Sequence, residues 1–320
     1  MWTFNPILKT TIWGGERIAP FKKIKTDLHC IGESWEVSGV EGSESVVASG
    51  PDAGLTISEL IDKYGESLLG RNNFLRFGRH FPLLVKFIDA ASDLSIQVHP
   101  DDEIARRHGG LNGKTEMWYV LDAAPDAKLA NGFKTPVDPE QYKRMVDDGS
   151  ILDALNFMDV AKGDAFFIPA RRVHAIGAGA LIAEVQQTSD ATYRIYDYGR
   201  LDANGNPREL HTDLALETVN FADTDGRAVV YTPQDDIPVN VVDSRFFTVN
   251  VLRVAADFIR DYSERDSFVI LVAVEGAATL ICGGEQMRIE AGTSVLVGAS
   301  ERNVEIKPEG TLRLLETYIK

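Results

Sequence analysis

The side chains of this chain that could do metal chemistry are few, and their spacing groups them. Gly163-Asp164-Ala165-Phe166-Phe167-Ile168-Pro169-Ala170-Arg171-Arg172-Val173-His174 reads as a glycine turn, an apolar strand ended by proline, and a histidine opening the next strand. Taken singly, His174 is a satisfied core or surface histidine; it needs partners to be more. Ser95-Ile96-Gln97-Val98-His99-Pro100 and Lys114-Thr115-Glu116 supply them. Alternate residues of a strand share a face, so Gln97 and His99 can converge on one ion while Ile96 and Val98 pack behind. With Glu116 and His174 the set holds the imidazole and carboxylate ligands usual for zinc, plus a less common amide. One carboxylate and three neutral ligands leave a dication a net positive charge, so it still acts as a Lewis acid on a substrate oxygen. Lys86 stands out too: Pro82-Leu83-Leu84-Val85-Lys86-Phe87-Ile88 is otherwise apolar, and an ammonium there needs an anionic partner, a substrate phosphate or a route to the strand edge.

These residues need strands to carry them, and the sequence is rich in short β-type runs ended by Gly, Pro, Asn or Asp. The candidates are 81–89, 94–99, 117–121, 128–130, 165–168, 172–176, 181–187 and 193–196, then 246–254, 267–274, 277–282, 286–290, 294–297, 303–306 and 312–318. They lie too close together for βαβ crossovers, which predicts sandwiches or barrels. Helices are few. Thr56-Ile57-Ser58-Glu59 is a capping box before a helix that Gly65 ends, and Asp138-Pro139-Glu140-Gln141 opens another, with a second short helix near 152–157. An amphipathic segment over 209–221 closes the first unit. A two-domain division follows, 1–225 carrying the site, with a helical insertion at about 138–158, and 226–320 a smaller β unit.

The turn-strand-histidine stretch resembles the second motif of the cupin jelly roll, with Arg171 where that motif usually has glycine; in cupins its histidine binds metal. Further blocks narrow the likeness: Trp13-Gly14-Gly15, Gly32-Glu33-Ser34-Trp35-Glu36, Phe81-Pro82-Leu83-Leu84-Val85-Lys86, 94–100, Gly113-Lys114-Thr115-Glu116-Met117-Trp118 and Gln187-Thr188-Ser189-Asp190-Ala191-Thr192-Tyr193-Arg194-Ile195-Tyr196-Asp197. Over roughly residues 5 to 220 the chain is similar to the short bacterial form of the type I mannose-6-phosphate isomerases. The resemblance implies two mainly β, cupin-type jelly-roll sandwiches, one zinc on Gln97, His99, Glu116 and His174, an active-site arginine at Arg194, and Lys86 and Ser95 on the phosphate side. It implies an aldose-ketose isomerase that interconverts mannose 6-phosphate and fructose 6-phosphate through an enediol. For that reaction Arg194 suits the stabilisation of charge on O1 or O2, and Lys114 and Glu184 are both candidates for the proton-transfer base.

The second β unit repeats the pattern without the ligand. Setting Gly292 on Gly163 brings Gly298 to the place of Pro169 and Asn303 to that of His174, and no histidine follows His211. It is read as a metal-free packing unit. A cupin dioxygenase using iron(II), or a non-catalytic sugar-binding cupin, are the competing readings; neither needs Lys86, Lys114 and Arg194 around the metal. Lys+Arg total 33 against 48 Asp+Glu, a net charge of −15 that disfavours a nucleic-acid partner and requires a local basic pocket for an anionic substrate. The apolar run 268–274 falls far short of the roughly 20 residues that span a bilayer. Met1 to Pro6 has no export signal, and Cys30 and Cys282 are far apart, so reduced thiols and a cytoplasmic setting without membrane partners are expected. Oligomeric state has no signature in the sequence.

Overall fold

The structure is a computed structural model that describes residues 1–202 and 205–320. Twelve strands precede residue 200: β1 (Ile7–Gly15), β2 (Ile31–Val40), β3 (Ser43–Glu44), β4 (Leu83–Asp89), β5 (Ile96–Val98), β6 (Glu116–Ala123), β7 (Lys128–Phe133), β8 (Leu155–Asp159), β9 (Ala165–Ile168), β10 (His174–Ile176), β11 (Ala180–Gln187) and β12 (Tyr193–Tyr196). Nine follow: β13 (Val239–Asp243), β14 (Thr248–Val254), β15 (Phe258–Asp261), β16 (Val269–Glu275), β17 (Ala277–Cys282), β18 (Glu285–Glu290), β19 (Ser294–Val297), β20 (Asn303–Pro308) and β21 (Leu312–Tyr318). The first sheet runs β1-β2-β4-β11-β6-β9, with β3 on β2; the second runs β12-β5-β10-β7-β8. The third is β13-β14-β21-β16-β19 and the fourth β15-β20-β17-β18. The pairings between these strands are all antiparallel, and the chain is mainly β and built as two sandwiches, as expected.

Side-chain alternation sets the order of the layers. Along β4, Leu83, Val85 and Phe87 join an apolar cluster with Val249, Ile270, Leu296 and Leu315 of the third sheet, while Ile88 packs inward with Trp118, Leu129 and Ile176 of the first sandwich. The first sheet is therefore buried on both faces, and its central strands carry apolar side chains at nearly every position. The run 268–274 has the same cause: Ile270 and Val272 face the first sandwich, Val269 and Leu271 their own. Helices Pro139–Asp148, Ile151–Ala154 and Thr212–Thr218 cover the outer face of the second sheet through Tyr142, Ile151 and Ala215. Helix Ile57–Tyr64 carries its capping box and ends at Gly65, whose φ of 51° is one a side chain rarely takes.

Several boundaries differ from the sequence expectation. β1, β2, β3, β8, β13 and β15 are additional strands; Leu155–Asp159 is strand where the second insertion helix was expected to continue. Residues 94–99 yield only three strand residues, because His99-Pro100 turns away towards helix Asp102–Arg107. β6 opens on Glu116, one residue before the expected strand, and Lys114 precedes it. Helices Ile18–Phe21, Glu66–Leu69 and Arg71–Phe77 carry too few periodic residues to stand out in the sequence. β20 opens on Asn303, matching the opening of β10 on His174, and both turn glycines, Gly163 (φ 95°) and Gly292 (φ 89°), are left-handed.

Candidate active site

Two cross-strand rows face each other inside the first sandwich. In the first sheet the register aligns Trp35, Lys86, Glu184, Trp118 and Phe166 on adjacent strands. In the second it aligns Arg194, Gln97, His174 and Asn131. The rows meet where the Trp118 and His174 rings pack edge to face, 5.4 Å between centroids. Strand pairing alone thus gathers residues as distant in the chain as Lys86 and Arg194.

His99, Glu116 and His174 form a buried metal-competent group, their ligand atoms all within 4.8 Å of one another. His99 Nδ1 donates to the Ala191 carbonyl and His174 Nδ1 to the Arg172 carbonyl, both at 2.8 Å. Each Nδ1 therefore carries the proton, and each Nε2 turns an unprotonated lone pair inward, the second-sphere arrangement that orients metal-binding imidazoles. The two Nε2 atoms are 3.1 Å apart; Glu116 lies 3.4 Å from His174 Nε2 and 3.5 Å from His99 Nε2. The edge of a tetrahedron around zinc, about 1.63 times a ligand bond of about 2.0–2.1 Å, is about 3.3 Å. Glu116 Oε1 is buried and accepts no hydrogen bond. Two lone pairs and an orphaned carboxylate oxygen around one point fit a divalent cation. Burial, then the charge of Lys114, holds His99 well below its usual pKa and pushes His174 down to about 3, so both stay neutral. Burial and the nearby Glu184 carboxylate push Glu116 up to about 7. Gln97 reaches His174 Nε2 at 3.4 Å with its amide nitrogen; a half-turn of the amide would present its oxygen.

The group opens on a cavity of about 200 Å³ lined by Lys86, Ser95, Gln97, Lys114, Glu184 and Arg194. Lys114 Nζ donates to His99 Nε2 at 2.8 Å and to Glu116 Oε2. Lys86 lies 3.2 Å from Glu184 and 3.5 Å from Glu33. Burial alone would lower its pKa, but the two carboxylates hold it above its usual range. Glu184 Oε2 also accepts from Trp118 Nε1 at 2.8 Å; burial would raise this carboxyl, and Lys86 and Lys114 pull it below its ordinary value. Ser95 Oγ is 3.4 Å from Gln97 Oε1, and Arg194 Nη1 donates to the Glu209 carbonyl at 2.6 Å. A larger groove of about 670 Å³ shares Asp190 with this cavity, but among the described residues His80 and His108 are not gathered with carboxylates into a metal set there.

Residues 1–143 match the family model described as phosphomannose isomerase type I, catalytic domain, and residues 239–319 that described as mannose-6-phosphate isomerase, cupin domain. The mannose-6-phosphate isomerase ManA of Bacillus subtilis is 34% identical over 297 residues, covering 92% of this chain and 91% of the relative. The chain belongs to the type I mannose-6-phosphate isomerases. It is an enzyme of the isomerase class by that membership. The mannose-6-phosphate isomerase of Streptococcus mutans is 32% identical over 96% of this chain and 94% of its own. A crystal structure of the mannose 6-phosphate isomerase from Bacillus subtilis superposes with a TM-score of 0.89 at 31% identity, covering 99% of both chains. The family signal thus extends into the second sandwich, beyond the residue blocks that carried the resemblance.

All nine residues singled out in the sequence converge on this one cavity or its metal group. Thr11, Trp13, Glu33, Asp190, Thr192 and Arg208 also line it and had been given no role. Glu33 and Asp190 sit inside the quoted sequence blocks, whereas Arg208 comes from an irregular loop with no periodicity to expose it. His211 accepts from the Arg194 backbone N–H at 3.0 Å. His108 is the C-cap of helix Asp102–Arg107 and also bonds Glu217.

Proposed function

We propose that this chain interconverts mannose 6-phosphate and fructose 6-phosphate through an enediol, with one zinc ion held by Gln97, His99, Glu116 and His174. The observation that carries the reading is the convergence of two unprotonated Nε2 lone pairs and the unpartnered Glu116 oxygen beside a small cavity with charged walls. When bound, the metal would supply Lewis-acid stabilisation of a substrate oxygen. Moving a proton between C1 and C2 then falls to Lys114 or Glu184. Lys114 stands beside the ligand set and is the nearer candidate. Glu184 is held ionised between Lys86 and Trp118 and can accept a proton or orient the base. Arg194 would stabilise charge on the second oxygen, and Lys86 and Ser95 would lie on the phosphate side. We further propose that residues 1–225 form the catalytic unit and 226–320 a packing unit, and that the enzyme works in the cytoplasm on this small sugar phosphate.

The test is a coupled isomerase assay on purified protein before and after chelation, with elemental analysis. Activity on mannose 6-phosphate should vanish with the metal and return with zinc. Full activity in verified metal-free protein would sink the metal-dependent reading.

A further inference from the structure

Positive charge on the cavity wall is distributed unevenly. Lys86 is already matched by Glu184 and Glu33, and Asp190 also acts on it. Lys114 is engaged by Glu116 and His99. Arg194 makes no ion pair among the described residues, although Asp197 and Glu209 act on it from farther away: its Nη1 donates to the neutral Glu209 carbonyl, and its buried Nε has no hydrogen-bond partner. Beside it stands Arg208, whose Nε and Nη2 both grip Asp197, the former at 2.7 Å. Asp197 is shared with Arg200, so two guanidiniums meet one carboxylate and the trio keeps a net positive charge. Among the described residues the two bonds to Asp197 are the hydrogen bonds of the Arg208 guanidinium, Nη1 makes none, and Arg208 lines the cavity.

We propose that Arg208 binds the phosphate of the sugar phosphate, with Arg194 as its neighbour, while Asp197 and Arg200 fix its position. The assignment rests on the isomerase reading and deepens it. Like charges placed side by side on a cavity wall call for an anion between them. Burial and then repulsion from Arg208 lower the pKa of Arg194, and Asp197 and Glu209 offset only part of this. A phosphate dianion supplies the missing charge and three acceptor oxygens, and a planar guanidinium already held through two N–H groups loses little freedom in offering its third nitrogen. Lys86, already matched by Glu184 and Glu33, brings a dianion little uncompensated charge of its own, and Arg208 supplies what the Lys86 and Ser95 side lacks.

Kinetics of the metal-loaded, full-length enzyme, with inorganic phosphate as competing ligand, test the assignment. Arg208→Gln should raise the KM for mannose 6-phosphate and weaken phosphate inhibition, each by about ten- to a hundredfold, with kcat changed far less and metal content intact. Unchanged KM and unchanged phosphate inhibition would overturn the proposal. Asp197→Asn separates contact from placement: it loosens the grip but leaves the guanidinium, so it should cost less in both constants. Losses equal to those of Arg208→Gln would mean that loop position alone matters, which also overturns it. An arginine-directed dicarbonyl reagent on the parent protein gives an arm independent of turnover and of variant folding. Inorganic phosphate should shield Arg208 from labelling, read by peptide mass, and labelling that phosphate does not reduce counts against the assignment. Should the parent fail to isomerise mannose 6-phosphate, the functional reading falls, while the shielding result still decides whether phosphate binds at Arg208.

Discussion

At the scale of single residues, the ligand set and the oxyanion-stabilising arginine make separable predictions. His174→Ala removes one of two inward-facing lone pairs and should lower metal affinity sharply, seen as loss of zinc on dialysis. Arg194→Ala should keep the metal but lose on the order of 10²–10³ in kcat, the scale of one lost oxyanion donor. Joint loss of zinc and fold in Arg194→Ala would show the assignment to be wrong. Arg171 offers a different test. It stands where the cupin motif usually has glycine, and its φ of 73° lies in the left-handed region that glycine enters freely. Arg171→Gly should leave activity intact and stability within about 1 kcal/mol, because relief of the backbone offsets the lost bond to the Thr218 carbonyl. Arg171→Val puts a β-branched side chain at the same φ and should cost distinctly more in urea unfolding. Equal effects of the two would refute the backbone explanation.

At the scale of elements, β4 shows how one strand serves two masters. Its even residues, Lys86 and Ile88, point into the sandwich that holds the site; its odd residues, Val85 and Phe87, point at the third sheet. A change on the outer face should therefore move stability without moving chemistry. Phe87, fully buried and packed edge to face on Phe21, should cost about 3 kcal/mol or more as Phe87→Ala, measured by urea denaturation, with KM unchanged in the folded fraction. A changed KM with unaltered stability would mean that the two faces are not independent. The sequence shows this strand clearly as an apolar run, but not which face each residue takes: a run buried on both sides has lost the alternation that assigns faces. β1 and β2 were missed for a related reason. Glycines, charged residues and the bulges between Lys9 and Gly15 and between Trp35 and Val37 break the period of two on which strand reading depends.

At the scale of the whole molecule, the two sandwiches are joined by an apolar layer and by polar clamps. Asp266 Oδ1 and Oδ2 accept from the backbone N–H groups of Arg71 and Asn72, and Lys22 Nζ donates to Glu36 and to the Gly292 carbonyl. Removing the second sandwich would expose Leu83, Val85, Phe87 and Tyr119 together, an apolar area well above that tolerated on a soluble surface. A chain ending at residue 238 should accordingly aggregate, and the intact chain should unfold in one calorimetric transition. A well-behaved, monodisperse truncation would contradict this. Elemental analysis of stripped and reloaded protein should give one metal per chain, since the histidine-carboxylate group of the first sandwich has no counterpart around Asn303 among the described residues. A second ion retained in His174→Ala would reveal another site.

What the sequence determined by itself was the chemistry available: the metal-ligand types, the buried lysine, the turn glycine and proline that frame His174, and the loss of histidine at Asn303. Local spacing suffices for these, because a strand puts alternate residues on one side whatever it packs against. Pairing decided the rest. Only the antiparallel register could place Lys86 opposite Glu184 and Arg194 opposite Gln97, and only the sandwich could bring those two rows together. Arg208 entered the cavity through contacts with Asp197 across an irregular loop, and the state of Lys86, matched by Glu184 and Glu33, arose from neighbours more than fifty residues away on either side. Such contacts are long-range in the chain, and short-range patterns of polarity carry no information about them.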